Sequence, residues 1–429
     1  MGPDPHRLWA EPEEQLGEVT TGRQALAAVQ QSRHNLLMHT DFYRIERLPP
    51  YVFAEVNGMR AAMRAEGRDV IDLGMGNPDS PPPAHVVAKL AEVAAKPDAH
   101  GYSASKGIPG LRKAQAAYYQ RRFGVELDPD SEVIVTLGSK EGLANLAQAI
   151  TAPGDVILAP NPSYPIHSFG FIIAGAAIRS IPAAPGEEFF ERLRMAMRYT
   201  VPRPKVLVIG YPSNPTAYVT DIGFYEKLVE FARENQIWII SDLAYAEIYF
   251  GDTPTPSILA VDGAKEVAIE FTSMSKTYSM AGWRIGFAVG NRELIAALTR
   301  VKSYLDYGAF TPVQAAAVAA LNGPQDCVAE TRALYKRRRD VLVESFGRAG
   351  WDIPVPQASM FAWAPIPEPF RALGSMEFSK RLLSEAGVAV APGVGFGEEG
   401  EGFVRIAMVE NEQRLRQAAR GIKKLLKSA

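Results

Sequence analysis

The sequence predicts an α/β fold in which a large, doubly wound, mostly parallel sheet domain is joined to a smaller α+β domain. The chain has 429 residues, which is more than one hydrophobic core usually organises. Between residues 84 and 305, near-continuous apolar segments alternate with amphipathic ones, as expected for buried parallel strands with helices on both faces. Beyond residue 305, long helical patterns and short strands replace this alternation, which indicates a second architecture.

The large domain is predicted at 84–305, where helices and strands follow one another along the chain. Strands are predicted at 132–137, 155–159, 177–181, 205–210, 237–241 and 266–271. Helices are predicted near 85–95, 108–123, 140–151, 166–174, 223–235 and 294–305.

The small domain is predicted to combine residues 41–83 with residues 306–429. Its first part contains a helix at 52–66, a strand at 70–73 and the glycine-rich loop Gly74–Asp79. Its second part contains helices near 312–321, 328–348, 375–386 and 412–427, with strands near 362, 388–391 and 403–407. Residues 1–40 carry no sustained apolar pattern and are expected to form a disordered N-terminal arm.

Composition excludes several classes of function. The 46 Lys and Arg residues balance the 48 Asp and Glu residues, so there is no basic surplus for a nucleic-acid partner. Cys327 is the single cysteine, which excludes an internal disulfide, argues against a metal site and suits a reducing, cytoplasmic location. No apolar segment reaches the roughly 20 residues of a membrane helix, so no membrane association is expected.

Polar residues follow four of the predicted strands, at the point where each strand ends. They are the segment Gly138–Gly142, the amide of Asn214, Asp242 with Tyr245, and Lys276, which is expected at the end of its strand. Ligands of open parallel sheets bind beyond the carboxyl ends of the strands. The ordered set therefore predicts one binding site at this edge of the sheet.

The segment Gly138-Ser139-Lys140-Glu141-Gly142 has two interpretations. A helix N-terminus with an added hydroxyl is typical of an anion cradle. Alternatively, Ser139 is a helix cap with Glu141 in the first turn. The P-loop spacing is absent, so triphosphate binding of that type is excluded.

Lys276 and Asp242 suggest a specific chemistry. Small hydroxyl residues flank Lys276, and Arg284 follows eight positions later, a setting that suits a Schiff-base lysine with a depressed pKa. Asp242, expected on the neighbouring strand, is either a turn residue or a carboxylate that keeps a pyridine nitrogen protonated.

These motifs resemble those of the pyridoxal-phosphate-dependent aminotransferases of fold type I, class I/II. The resemblance rests on Ser273-x-Ser-Lys276, Gly282-Trp-Arg-Ile-Gly-Phe287, Asn214-Pro and Asp242-x-x-Tyr245, and it extends from about residue 41 to the C-terminus. Four further segments look like bacterial glutamate–pyruvate aminotransferases: 47–53, 107–109, 162–167 and 302–308. The residues before His39 have no recognised counterpart.

The resemblance implies a role for each cofactor-binding residue. Lys276 would hold pyridoxal phosphate covalently and move the substrate proton, and Asp242 would pair with the ring nitrogen. Asn214 and Tyr245 would donate to the ring 3-oxygen, and Tyr164 would stack on the ring. The phosphate would contact Ser139, Lys140, Ser273, Ser275 and Arg284. Tyr102 would reach the phosphate of a neighbouring subunit, which implies a homodimer with shared active sites.

Substrate binding is expected at Arg405. An arginine inside the apolar strand 403–407 needs a partner, because a lone buried charge is costly. A substrate α-carboxylate would fit its planar fork. Gly76 is expected to offer its backbone N–H to that carboxylate, and Tyr51 matches a substrate-contacting tyrosine of related enzymes.

The resemblance therefore implies ping-pong transamination of amino-acid and 2-oxo-acid substrates, L-alanine and 2-oxoglutarate giving pyruvate and L-glutamate. LL-diaminopimelate aminotransferase is the main alternative, although Tyr304 stands where those enzymes carry an asparagine. Aspartate, valine or aromatic transamination also remains open. A pyridoxal-phosphate lyase or synthase and a non-enzymatic regulator are the alternatives from other classes.

Overall fold

The computed structural model describes residues 42–428, so the predicted arm at 1–40 lies outside the described residues. Residues from Arg47 onwards form one compact unit. The described residues before it contain the short helix Tyr43–Glu46. Within the described range, no helix is long and apolar enough to cross a membrane.

A seven-stranded sheet forms the centre of the large domain. Its strands are β2 (Val133–Thr136), β3 (Val156–Asn161), β4 (Ala177–Pro182), β5 (Val206–Ile209), β6 (Trp238–Asp242), β7 (Ala268–Ser273) and β8 (Gly286–Gly290). Their order is β2-β8-β7-β6-β5-β3-β4, and β8 runs antiparallel to both of its neighbours. The predicted mostly parallel sheet is confirmed, although β8 itself was not predicted.

Both faces of this sheet are buried, which explains its continuous apolar segments. Along β5, Val206 and Val208 face one hydrophobic core, whereas Leu207 and Ile209 face the other. The covering helices are Ala84–Ala94, Pro109–Phe123, Ser139–Ile150, Ile166–Ala174, Glu187–Tyr199, Ile222–Asn235, Arg292–Leu305 and Thr311–Asn322, with the short helix Ala264–Val267 preceding β7.

Two short sheets form the smaller part of the unit. The first pairs β1 (Ile71–Asp72) in parallel with β10 (Val388–Ala389), and the second has the order β11-β12-β9, from Ala391–Pro392, Phe403–Ala407 and Phe361–Pro365. The helices of this part are Phe53–Ala65, Asp326–Ala349, Gly374–Ala386 and Glu412–Lys427. Residues 47–83 and the C-terminal segment are thus joined through the β1–β10 pair.

The core of the large sheet extends beyond the predicted boundary at residue 305. The helix Thr311–Asn322 packs against Ala84–Ala94 and Pro109–Phe123, and its buried alanines belong to the core on that face of the sheet. The same core includes Val328, in the first turn of the next helix.

Candidate active site

A cavity of about 740 Å³ opens at the carboxyl ends of the parallel strands. The turns after β2, β5, β6 and β7 contribute one wall, including Ser139, Asn214, Asp242 and Lys276. The loop after β1 and strands β9 and β12 contribute the facing wall, which includes Arg405. The structure therefore brings the four predicted polar groups and the predicted carboxylate-binding arginine into one cavity.

Lys276 lies one turn beyond the position expected from the sequence. Strand β7 ends at Ser273, whose hydroxyl accepts a hydrogen bond from Ser275 N (3.1 Å) and thereby starts the short helix Met274–Thr277 that carries the lysine. Lys276 Nζ donates to the Gly76 carbonyl at 2.7 Å. Burial, together with the nearby cations Arg405 and Arg284, lowers the pKa of Lys276 to about 8. A substantial fraction of this amine is therefore neutral near physiological pH.

Asp242 is the last residue of β6 and lies beside β7, as predicted. Its Oδ2 is 3.0 Å from His167 Nε2, and its Oδ1 accepts from Ala244 N at 3.3 Å. The side chains of Asp242 and His167 are largely buried. The sequence reasoning missed His167 as a site residue. The available signals were a polar side chain in the apolar helix Ile166–Ala174 and the resemblance of segment 162–167, and neither distinguishes a site residue from a hydrogen-bonded core histidine.

The turn before the helix Ser139–Ile150 forms a cradle, and the serine-cap interpretation of it is wrong. The N-cap is Gly138, and the Ser139 hydroxyl donates to the Thr272 carbonyl of β7 at 3.0 Å. Gly138 has φ +86°, and a Cβ there would lie 2.2 Å from Arg284 Nη2. Only glycine therefore lets the Arg284 guanidinium reach this turn.

Arg284 has no carboxylate partner within the part of the chain that the structure covers. Its Nη1 donates to Ala281 O at 2.7 Å and its Nη2 to Leu137 O at 3.2 Å. Arg284 is therefore not part of a surface ion pair with any described residue. A cation held by carbonyl oxygens beside a helix N-terminus retains its capacity to bind an anion.

Arg405 is buried without an ion pair to any described residue. Its Nη1 donates to Asn214 Oδ1 and its Nη2 to Gly74 O, both at 2.8 Å, and its Nε has no partner among the described atoms. The guanidinium lies 4.1 Å from the ring centroid of Phe361 and 4.7 Å from that of Phe396. Burial lowers the pKa of Arg405 to about 10, so it remains a cation at neutral pH. An anionic ligand would supply the negative charge that the Arg405 guanidinium lacks among the described residues.

The remaining predicted residues lie in two places. Lys140, Tyr164, Tyr245 and Tyr51 line the cavity, and Lys140 Nζ is 6.0 Å from the centroid of the Tyr164 ring. Burial raises the pKa of both Tyr164 and Tyr245, which keeps their hydroxyl groups protonated. Tyr102, by contrast, does not line the cavity of its own chain; it is 89% exposed.

The donor set of the cavity fits pyridoxal phosphate. A buried amine with a lowered pKa suits an aldehyde, Asp242 suits a pyridine nitrogen, and Arg284 with the N-terminus at Ser139 suits a phosphate. No group of three or more His, Cys, Asp and Glu residues within the described range could hold a metal ion.

Comparisons with known proteins agree with this chemistry. Residues 68–422 match the family described as aminotransferase class I and II. The chain is 64% identical over 389 residues to the putative aminotransferase AatC of Rhizobium meliloti, covering 91% of this chain and 96% of that protein. It is 54% identical over 387 residues to the glutamate-pyruvate aminotransferase AlaC of Escherichia coli, with coverages of 90% and 94%.

More distant relatives include the LL-diaminopimelate aminotransferase of Moorella thermoacetica. It is 43% identical over 383 residues, and the match covers 89% of this chain and 97% of that protein. Among solved structures, apo-BacF from Bacillus subtilis has a TM-score of 0.85 at 37% identity, covering 90% of this chain and 98% of that one. The family match at residues 68–422 spans the seven-stranded sheet and both smaller sheets. The chain therefore belongs to the class I and II aminotransferases, which are pyridoxal-phosphate-dependent enzymes of fold type I.

Proposed function

We propose that this protein is a cytoplasmic, homodimeric aminotransferase that exchanges an amino group between L-alanine and 2-oxoglutarate, giving pyruvate and L-glutamate. The observation that carries the proposal is the buried Arg405 guanidinium, which shares a cavity with the Lys276 amine and has only neutral protein partners within the described range. Every amino acid and 2-oxo acid brings a carboxylate to such a cation, and every amino acid brings an amine to the region of Lys276.

In the proposal, the residues that hold the cofactor all lie on the large-sheet side of the cavity. When bound, pyridoxal phosphate supplies an aldehyde that condenses with amines and a protonated ring that withdraws electrons. In the proposal, Asp242 holds the proton at the ring nitrogen, and its contact with His167 orients the carboxylate. Tyr164 packs on the ring. The phosphate is bound by Ser139, Lys140, Ser273, Ser275 and Arg284.

Asn214 has a double role in this arrangement. Its Oδ1 accepts from Arg405 Nη1, so its Nδ2 is left to donate to the phenolic oxygen of the cofactor. The protonated Tyr245 hydroxyl donates to the same oxygen. One side chain thus fixes the distance between the carboxylate-binding cation and the cofactor ring.

Lys276 is the proposed catalytic base at the substrate α-carbon. Burial holds its pKa near 8, so the neutral amine that accepts a proton is populated at the working pH. Arg405 binds the α-carboxylate, helped by Gly76 N–H and Tyr51 at the entrance. The substrate is then held at its amine by the cofactor and at its carboxylate by the Arg405 guanidinium. These two points determine which bond of the α-carbon faces Lys276.

Specificity for alanine and glutamate rests on two further points. Similarity is greater to the glutamate-pyruvate enzyme, at 54% identity, than to the LL-diaminopimelate enzyme, at 43%. Tyr304 also removes the amide that the resemblance associates with the distal end of LL-diaminopimelate, and it is 84% exposed. Side-chain selection by a few such contacts is typical of transaminases.

The homodimer is supported by an exposed group of apolar side chains beside Tyr102. The Tyr102 and Tyr307 rings pack at a tilt with centroids 4.7 Å apart, and the nearby residues Tyr304 and Leu305 are also exposed. The proposed occupant is a second copy of the chain, whose cavity would receive Tyr102. A two-fold dimer uses one patch twice, so both sites would be shared reciprocally.

Single-turnover kinetics with a panel of amino acids test the proposed specificity. The cofactor absorbance should change fastest per unit concentration with L-alanine and L-glutamate, and pyruvate and 2-oxoglutarate should reverse the change. The matched variant Tyr304→Asn should gain activity toward LL-diaminopimelate. A kcat/KM for LL-diaminopimelate far above that for alanine in the unaltered enzyme would refute the assignment. Release of ammonia without a 2-oxo acid would indicate a lyase instead.

A further inference from the structure

Lys302 is a fully buried lysine that the proposed chemistry does not use. Its side chain has 0% exposure, and its Nζ donates to Glu141 Oε1 at 3.0 Å and to Asp306 Oδ2 at 2.8 Å. A buried ion pair is weak evidence for stability, because desolvating the charges offsets most of their attraction. The two partners of Lys302 are more informative, because the carboxylates of Glu141 and Asp306 belong to different functional segments.

Glu141 connects Lys302 to the phosphate cradle. Its Oε2 accepts from Leu137 N at 2.8 Å, and Oε1 also accepts from Asn145. Leu137 precedes Gly138, and its carbonyl oxygen accepts from Arg284 Nη2. The Lys302–Glu141 pair therefore holds the backbone of the turn against which Arg284 is placed.

Asp306 connects Lys302 to the exposed tyrosines. Its Oδ1 accepts from Gly308 N at 2.7 Å, and its backbone carbonyl accepts from Ser105 Oγ. Gly308 has φ +81°, and a Cβ there would lie 2.2 Å from Ala104 O, so the segments of Tyr307 and Tyr102 are closely packed. The buried Gln314 also joins them, donating to Ser103 Oγ (2.8 Å) and Ala309 O (2.6 Å).

We propose that Lys302 is a positioning residue that supports both the phosphate cradle of its own subunit and the tyrosine segment that the same subunit presents to its partner. This inference rests on the proposed shared active site. The chain of contacts Leu137–Glu141–Lys302–Asp306–Gly308 is continuous, with Lys302 fully buried at its centre and the other four residues partly buried, so each arm of the chain depends on Lys302. Lys302 then contributes to two cofactor sites at once, its own and the partner's.

Hybrid dimers separate these two contributions. A hybrid of one intact subunit with one Lys276→Ala subunit has a single lysine that can bind the cofactor covalently, and its yellow absorbance reports that site alone. Lys302→Met is placed either in the subunit that keeps Lys276 (same-subunit hybrid) or in the Lys276→Ala subunit (partner-subunit hybrid). Both hybrids carry one copy of the change, so a general loss of stability affects them equally. The readout is the dissociation constant of pyridoxal phosphate, from titration of the apo hybrid.

Substitutions of Lys302, Glu141 and Asp306 should give different results in these hybrids. Lys302→Met should weaken cofactor binding in both hybrids, by about tenfold in each. Glu141→Gln should weaken binding only in the same-subunit hybrid, and Asp306→Asn only in the partner-subunit hybrid. If Lys302→Met does not fold, the opposite behaviour of Glu141→Gln and Asp306→Asn decides the question.

Tyr102→Ala in the partner subunit distinguishes the possible failures. If it weakens cofactor binding while Lys302→Met and Asp306→Asn in that subunit do not, the site is shared but Lys302 does not couple to it, and the inference is overturned. If Tyr102→Ala in the partner subunit has no effect either, the shared site itself is wrong and the inference fails with it.

Discussion

Replacing Arg405 by methionine should lower kcat/KM by the same factor for every substrate. Methionine keeps much of the aliphatic volume between Phe361 and Phe396 but removes the guanidinium. No described carboxylate pairs with Arg405, so the change leaves no buried acid without a partner. The protein should therefore still fold, and any fall in its melting temperature should be limited to the loss of the two donors to Asn214 and Gly74.

The size of the effect follows from the two hydrogen bonds that a carboxylate makes to a guanidinium. Each charge-assisted bond is worth about 1.5–3 kcal/mol, so the pair contributes about 3–6 kcal/mol. At 1.4 kcal/mol for each factor of ten, kcat/KM should fall by about 10² to 10⁴. The guanidinium is already held by Asn214 and Gly74, so little of this energy is spent on ordering it.

The assay compares single-turnover kcat/KM for L-alanine, L-glutamate and a larger amino acid in Arg405→Met. Arg60→Met is the matched control, because Arg60 lines the same cavity but already pairs with Asp72. That control should lose at most about fivefold. A loss below tenfold in Arg405→Met, or losses that differ by more than tenfold between amino acids, would refute the role of Arg405 as the common carboxylate site.

Three further predictions concern the cofactor. Borohydride reduction of the purified enzyme followed by peptide mapping should place the pyridoxyl group on Lys276; a label on another lysine contradicts the assignment. Covalent capture of pyridoxal phosphate by the apoenzyme requires the neutral amine, so its rate should rise with pH and reach half its maximum near pH 8, the pKa to which burial lowers Lys276. Arg405→Met removes a nearby cation and should move that midpoint to higher pH; an unchanged or lower midpoint argues against the electrostatic cause. Gly138→Ala should weaken cofactor binding by about tenfold, because its Cβ would lie 2.2 Å from Arg284 Nη2. Gly124→Ala imposes a similar positive φ in open space, so it should lower only the melting temperature, and equal cofactor affinities in the two variants would count against the cradle.

Sequence reasoning was most successful where one physical rule governs many residues. The buried parallel strands of the large sheet carry continuous apolar segments because neighbouring residues face two different cores, as Val206 and Leu207 do. Polar residues at their carboxyl ends then had to meet at one edge. This rule alone brings Asp242 and Lys276 together without any knowledge of the contacts between them.

The failures occurred where a tertiary contact decides between local alternatives. Ser139 suits a helix cap by sequence, but its hydroxyl donates to Thr272 on β7 instead. Strand β8 is short and has glycine at both ends, so Gly286–Gly290 resembles a loop until it pairs with two strands. The helix Glu187–Tyr199 was missed although Phe189, Leu193 and Ala196 repeat at helical spacing, so that signal was present and not used.

The loop after β1 holds both the Arg405 guanidinium and the Lys276 amine through its main chain. Gly74 O accepts from Arg405 and Gly76 O accepts from Lys276, whereas Met75 and Asn77 between and beside them contribute side chains to the cavity wall. Carbonyl acceptors are present whatever the side chain, so mutations at Met75 or Asn77 alter the wall without deleting either acceptor. Substitutions of these side chains can therefore change the substrate preference during evolution, while the Gly74 and Gly76 carbonyl groups continue to hold Arg405 and Lys276.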